Sequence, residues 1–217
     1  MRPILYSFRR CPYAIRARMG LIAADLSVEL REVVLWDKPA AMLESSPKAT
    51  VPVLLLANGD VIDESLEIML WALNQRDGHG WQPQSQSEQD ITDDLITTCD
   101  GAFKHHLDRF KYATRYEDVD PEEHRRQAHV FLQRLNTVLS QRNYLAADRI
   151  TIADIAIFPF IRQYANADKA WDSSGRLARL DAWLSQLLES PTFKIAMNKY
   201  SQWKPNDQVT IFPAKLA

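Results

Sequence analysis

Cysteine is the side chain with the most reactive setting in this sequence. The stretch Ser7-Phe8-Arg9-Arg10-Cys11-Pro12-Tyr13-Ala14 follows the apolar run Ile4-Leu5-Tyr6 and puts one of only two cysteines directly before a proline. Pro12 has no N–H and a fixed φ, so it suits the first position of a helix. Ile15, Met19 and Ile22 then recur at helical spacing, with Arg16 and Arg18 off that face. Cys11 is therefore expected at a helix N-cap, where unpaired N–H groups and the positive end of the dipole favour a thiolate. Arg9 and Arg10 add positive charge nearby. Ala14 stands where a second, resolving cysteine would serve a dithiol cycle, and Cys99 belongs to a later helical segment. The chemistry this implies is monothiol, with the second sulfur borrowed from a small-molecule thiol.

The elements that must position Cys11 are legible over residues 1–75 as β-α-β-α-β-β-α. The first strand is Ile4–Ser7, and the helix opened by Pro12 runs to about Ala24. Val28–Arg31 alternates as a strand and continues into Val33-Val34-Leu35. Pro39 opens a short helix that ends before Pro47. Thr50–Leu56 is a β-branched and apolar run with Pro52 near its start, a residue confined in strands to edges, starts and irregularities. Asn58-Gly59 before Val61-Ile62 signals a hairpin. Asp63-Glu64-Ser65 caps a helix with Leu66, Met69, Leu70 and Leu73 on one face.

Three marks in this order carry a resemblance: Cys11-Pro12 after the first strand, Thr50-Val51-Pro52-Val53-Leu54, and Asp63-Glu64-Ser65 before the third helix. Residues 1–75 resemble the thioredoxin-like domain of glutathione transferases, and Cys11-Pro12-Tyr13-Ala14 is similar to the omega-type and glutaredoxin-like members. The resemblance implies a thioredoxin-like α/β domain followed by an all-α domain, and a cis bond before Pro52. It implies that Glu64 pairs the ammonium of a glutathione γ-glutamyl group and that Ser65 holds its carboxylate. Val51, beside Pro52, would offer backbone hydrogen bonds to the cysteinyl part. Lys38 would reach the glycyl carboxylate, with Lys48 as competitor for that role. It also implies a homodimer.

Residues 76–87, with Asp77, Gly78, Gly80 and Pro83, have the composition of a linker, and 88–217 read as a helical domain. Ile91, Leu95, Cys99, Ala102 and Phe103 keep helical spacing over 88–112. Asp120-Pro121 starts the next helix. Thr151 and Asp154 form a variant capping box flanked by Ile150 and Ile155, a folding device. Pro159 predicts a kink or local break in that helix. Two helices, about 175–188 and 191–199, follow. The tail from Trp203 is expected to pack on the body through Val209, Ile211 and Phe212.

Of the 217 residues 46% are apolar and the net charge is -2, which supports a sizeable core and argues against a nucleic-acid partner. No apolar run reaches bilayer length, and the N-terminus lacks the regions of a signal peptide. Two cysteines, one nucleophilic, fit a reducing cytoplasm. His105-His106, His124 and His129 lack ligand spacing supported by cysteines or acids, so no metal is expected. The function implied is glutathione-dependent thiol transfer or reduction through Cys11, with glutathione as cosubstrate and a disulfide or small electrophile as partner. Conjugation of electrophiles to glutathione, or a non-catalytic binding role, are the alternatives.

Overall fold

A computed structural model describes residues 2–169, 171 and 177–214, which form two compact units. The first unit comprises residues up to Gly80 together with those from Glu189 onward; the second is Trp81–Leu188.

The first unit is built on a five-stranded sheet. Its elements are β1 (Ile4–Ser7), α1 (Pro12–Ala23), β2 (Val28–Glu32), α2 (Ala40–Ser45), β3 (Val53–Leu55), β4 (Val61–Ile62) and α3 (Ser65–Gln75). A late strand, β5 (Ile211–Phe212), completes the order β4-β3-β1-β2-β5. β1 runs parallel to β2, joined through α1 as a β-α-β crossover must be. The β1–β3, β3–β4 and β2–β5 pairs are antiparallel. The β3–β4 turn uses Asn58-Gly59, with Gly59 at φ 94°, in the left-handed region that glycine tolerates without strain.

Alternation along β2 buries Val28, Leu30 and Glu32. Leu5, Leu21, Leu30, Leu54, Ile68 and Phe212 meet in one core cluster on the α1/α3 side. α1 and α3 approach so closely that a Cβ on Gly20 would stand 2.7 Å from Met69 Cγ and 2.9 Å from its Cα. The face α3 buries is Ser65, Ile68, Met69, Ala72 and Leu73, so Leu70, expected on it, is 40% exposed.

Both arginines of α1 lie inside, contrary to the periodicity. Arg16 is 1% and Arg18 0% exposed, because α1 is enclosed all round, between the sheet, α3 and the late helix α9 (Pro191–Ala196). β2 stops at Glu32, and the expected extension turns back through a Val34–Asp37 bridge that leaves Trp36 87% exposed.

The second unit is helical: α4 (Gln86–Thr98), α5 (Lys104–Lys111), α6 (Pro121–Gln141), α7 (Ile152–Ala165) and α8, which begins at Ala178 and runs to Glu189 at its boundary. A π-helical turn at Cys99–Phe103 joins α4 to α5. It shifts the helix phase, so Ala102, expected on the apolar face, is exposed while Phe103 and Leu107 are buried. The Thr151–Asp154 capping box forms as read. α7 runs through Pro159 without a break. No helix among the described residues is long and apolar enough to cross a membrane. In the tail, Phe212 packs at 0% exposure while Val209 stays 61% exposed. The end of that tail, 215–217, and the expected start of α8 at 175 lie outside the described residues.

Candidate functional site

Cys11 occupies the N-cap of α1 with extended backbone (φ -73°, ψ 125°), and Pro12 opens the helix. The Cys11 N–H bonds the Phe8 carbonyl at 3.0 Å and its carbonyl accepts from Ile15 N–H at 2.9 Å, so the loop closes tightly onto the helix start. Its side chain is half-buried and makes no cap hydrogen bond to α1. Instead the thiol donates to the Val51 carbonyl oxygen at 3.6 Å. The Val51–Pro52 bond is cis, and both residues are buried. The sequence places the sulfur at the helix start correctly, but expects it to accept from the helix N–H groups; the structure has it giving its proton to the neighbouring segment.

The loop before Cys11 is anchored from β2. One oxygen of Glu32 accepts the Arg9 N–H at 2.7 Å, and the other pairs with the Arg18 guanidinium. Arg18 also donates to Ser7 Oγ at 2.8 Å and to the Ala196 carbonyl at 3.1 Å, and its guanidinium lies 5.5 Å from the Phe212 ring centre. Burial pushes the Arg18 guanidinium below its ordinary value, partly offset by Glu32. The signal for this pair in the sequence is faint: a carboxylate at an inward position of β2 and an arginine among alanines and apolar residues in α1. Arg10 is exposed, its guanidinium 5.3 Å from the Phe8 ring centre. Phe8, Arg9, Arg10, Glu32 and Lys199 line part of a cavity of about 240 Å³ beside this loop.

Glu64 holds the N-cap position of α3 without capping it. Its exposed carboxylate pairs with Lys48 at 2.7 Å, and Lys48 also bonds Asp63 at 2.9 Å. Asp63 accepts further from Ser46 Oγ at 2.7 Å. The Lys48 and Ser46 bonds hold the Asp63 carboxyl below its usual range, and the two carboxylates raise the Lys48 ammonium. Ser65 is buried and accepts from Arg16 at 3.4 Å. Lys38 is half-buried in the turn leading to α2. Cys99 is fully buried in the second unit.

Two family models match this chain: the glutathione S-transferase N-terminal domain over residues 5–80, and the glutathione S-transferase C-terminal domain over 99–191. The chain belongs to the glutathione transferase superfamily. A glutathione S-transferase of Arabidopsis thaliana is 20% identical to this transferase-family chain over 189 residues, covering 86% of it and 84% of the relative. A glutathione S-transferase from Methylobacillus flagellatus, solved with glutathione bound, superposes with a TM-score of 0.79 at 19% identity, covering 89% of this chain and 98% of the other. A glutathione transferase from Pseudomonas putida, solved with one glutathione disulfide per subunit, has a TM-score of 0.75 at 22% identity, covering 90% of each chain.

One further grouping lies in the helical unit. His105 and His106 on α5 and His124 in the first turn of α6 bring their ring nitrogens within 4.8 Å of one another. By their spacing in the sequence these histidines form no expected ligand set. The helix-to-helix packing of α5 on α6 supplies what spacing alone does not show.

Proposed function

We propose that this glutathione transferase works as a glutathione-dependent thiol transferase and reductase through Cys11. The observation that carries the reading is one half-buried thiol at the start of α1, 3.6 Å from the Val51 carbonyl, with alanine at position 14. The Cys11 thiolate attacks the glutathione-side sulfur of a mixed disulfide. A sulfur–sulfur bond to Cys11 forms, and the substrate leaves as its thiolate and takes up a proton. A second glutathione thiolate then attacks the glutathione sulfur of that adduct. Oxidised glutathione leaves and the Cys11 thiolate returns. Glutathione supplies both electrons, so dehydroascorbate reduction and removal of glutathione from conjugates fall within the same chemistry.

Glutathione would be held by Glu64 on the γ-glutamyl ammonium and by Ser65 on the γ-glutamyl carboxylate. Val51, beside Pro52, would bond the cysteinyl amide once the Cys11 proton has left its carbonyl. Lys38 would meet the glycyl carboxylate. The pairing of Lys48 with Asp63 and Glu64 favours Lys38 over Lys48 for that contact. Arg9, Arg10 and Lys199 around the adjoining cavity suit an anionic cosubstrate. A cytoplasmic homodimer completes this reading.

Conjugation of an electrophile to glutathione is the second reading, favoured by the family to which the relatives belong. Rates on a glutathionylated mixed disulfide and on an aryl halide separate the two. Faster reduction that disappears in Cys11→Ser supports the proposal. Aryl-halide conjugation that dominates and survives Cys11→Ser overturns it.

A further inference from the structure

Three histidines of the helical unit converge where α5 packs on α6. His106 Nδ1 and His124 Nδ1 are 2.7 Å apart. In the neutral pair one nitrogen must donate and the other accept, so a single proton bridges two basic nitrogens. The His105 ring stands 5.0 Å from the His106 ring and 5.7 Å from the His124 ring, centre to centre. His105 is exposed and the other two are half-exposed, so an ion can enter from solvent.

We propose that His105, His106 and His124 form a site for one borderline divalent transition-metal ion of the Zn2+ class. An all-imidazole donor set suits zinc, copper or nickel and disfavours calcium and magnesium, which take oxygen ligands. Zinc–nitrogen bonds of about 2.0–2.1 Å in a tetrahedral set hold nitrogens about 3.3 Å apart. The His106–His124 pair must open slightly and His105 must close in, both by side-chain rotation. The metal takes the place of the bridging proton, which moves to the far nitrogen of the same ring or to solvent. The nearest acids are already engaged: Asp108 with Lys104, and Glu123 with Arg126 and Gln127. Water therefore fills the fourth position, as in three-histidine sites.

Arg109 opposes the ion. Its guanidinium donates to His105 Nδ1 at 2.9 Å, and so occupies that lone pair. The same guanidinium lies 4.6 Å from the Tyr116 ring centre, a second place for it to rest when His105 turns to a metal. Its positive charge beside His105 works against a bound cation, so removing this arginine should tighten binding.

The test is calorimetric titration of the tag-free, chelator-stripped full chain with Zn2+, alongside Co2+ absorption spectra, in wild type and Cys11→Ser. One ion per chain is expected in both proteins, with a tetrahedral cobalt spectrum that lacks a sulfur charge-transfer band. His106→Gln and His124→Gln should each weaken binding by more than about tenfold, the loss already seen when only an outer partner of a metal ligand changes. Far-ultraviolet circular dichroism checks that both variants remain folded. Arg109→Met should tighten binding, and His79→Ala, outside the cluster, should leave it unchanged. Zinc affinity that is equal in wild type and the His106→Gln/His124→Gln double variant overturns the proposal. So does binding that vanishes in Cys11→Ser.

Discussion

The Cys11 thiol donates to the Val51 carbonyl at 3.6 Å, joining two segments 40 residues apart. That bond exists only while the sulfur carries its proton. Once Cys11 ionises or enters a disulfide, the Val51 carbonyl is released and becomes an acceptor for an incoming amide N–H. In the proposed mechanism this couples the Cys11 sulfur to the Val51 carbonyl, each free when the other is needed.

The two cysteines should separate cleanly in mutants. Cys11→Ser is expected to lose reduction of glutathione mixed disulfides, and to gain conjugating activity, because a hydroxyl can donate to the glutathione sulfur without joining it. Cys99→Ala should keep the reductase rate while lowering stability by about 1 kcal/mol, the cost of a small buried void. Urea unfolding and steady-state rates on both proteins check this. Equal loss of activity in both would point to a dithiol cycle.

The Arg18–Glu32 pair should govern both stability and the reactive loop. Arg18 is fully buried and Glu32 nearly so. Removing one partner leaves a buried charge uncompensated, at about 3–5 kcal/mol. Glu32→Ala also frees the Arg9 N–H and so loosens the turn that ends at Cys11. The expected result is a lower urea midpoint together with slower thiol transfer. A stable protein of unchanged rate would show that the pair is dispensable.

Acid sensitivity should follow Lys48. Asp63 is held below its ordinary value by hydrogen bonds from Lys48 and then Ser46. A depressed carboxyl stabilises the fold above the pH at which the unfolded chain titrates, about 3.9. That contribution is lost as pH falls through the folded value. Lys48→Met should therefore shift the acid-unfolding midpoint of the first unit to higher pH, which fluorescence against pH will report. An unchanged midpoint would mean that solvent screens the pair completely.

Asp154 is fully buried at the start of α7 in the helical unit. Its oxygens accept from Leu145 N–H, Thr151 N–H, Thr151 Oγ1 and Trp183 Nε1, the longest of these 2.9 Å. Burial raises its carboxyl above the usual value, partly offset by these donors. Asp154→Ala would orphan several buried donors, each costing about 1–3 kcal/mol, and should yield little folded protein. Asp154→Asn keeps one good acceptor and should fold with reduced stability. Thermal denaturation that leaves either variant at the wild-type midpoint would contradict this.

Elements set by local chemistry are legible in the sequence. Pro12 after an apolar run marked α1, Asn58-Gly59 marked the β3–β4 turn, and Thr151 with Asp154 marked the start of α7. Features set by packing between distant segments were harder to see. β5 has two residues and exists because β2 offers it an open edge. Arg18 looked solvent-facing because its partner Glu32 lies on another element. Glu64 read as a cap, yet its carboxylate turns to Lys48. The three histidines meet only because α5 and α6 pack together.

The central claim, monothiol glutathione chemistry at Cys11, is tested most directly by incubating the full chain with oxidised glutathione and measuring intact mass. The account predicts one glutathione adduct per chain, mapped by peptide analysis to Cys11, absent in Cys11→Ser and reversed by reduced glutathione. An adduct mapped to Cys99, or none under conditions that oxidise a free thiol, would contradict it.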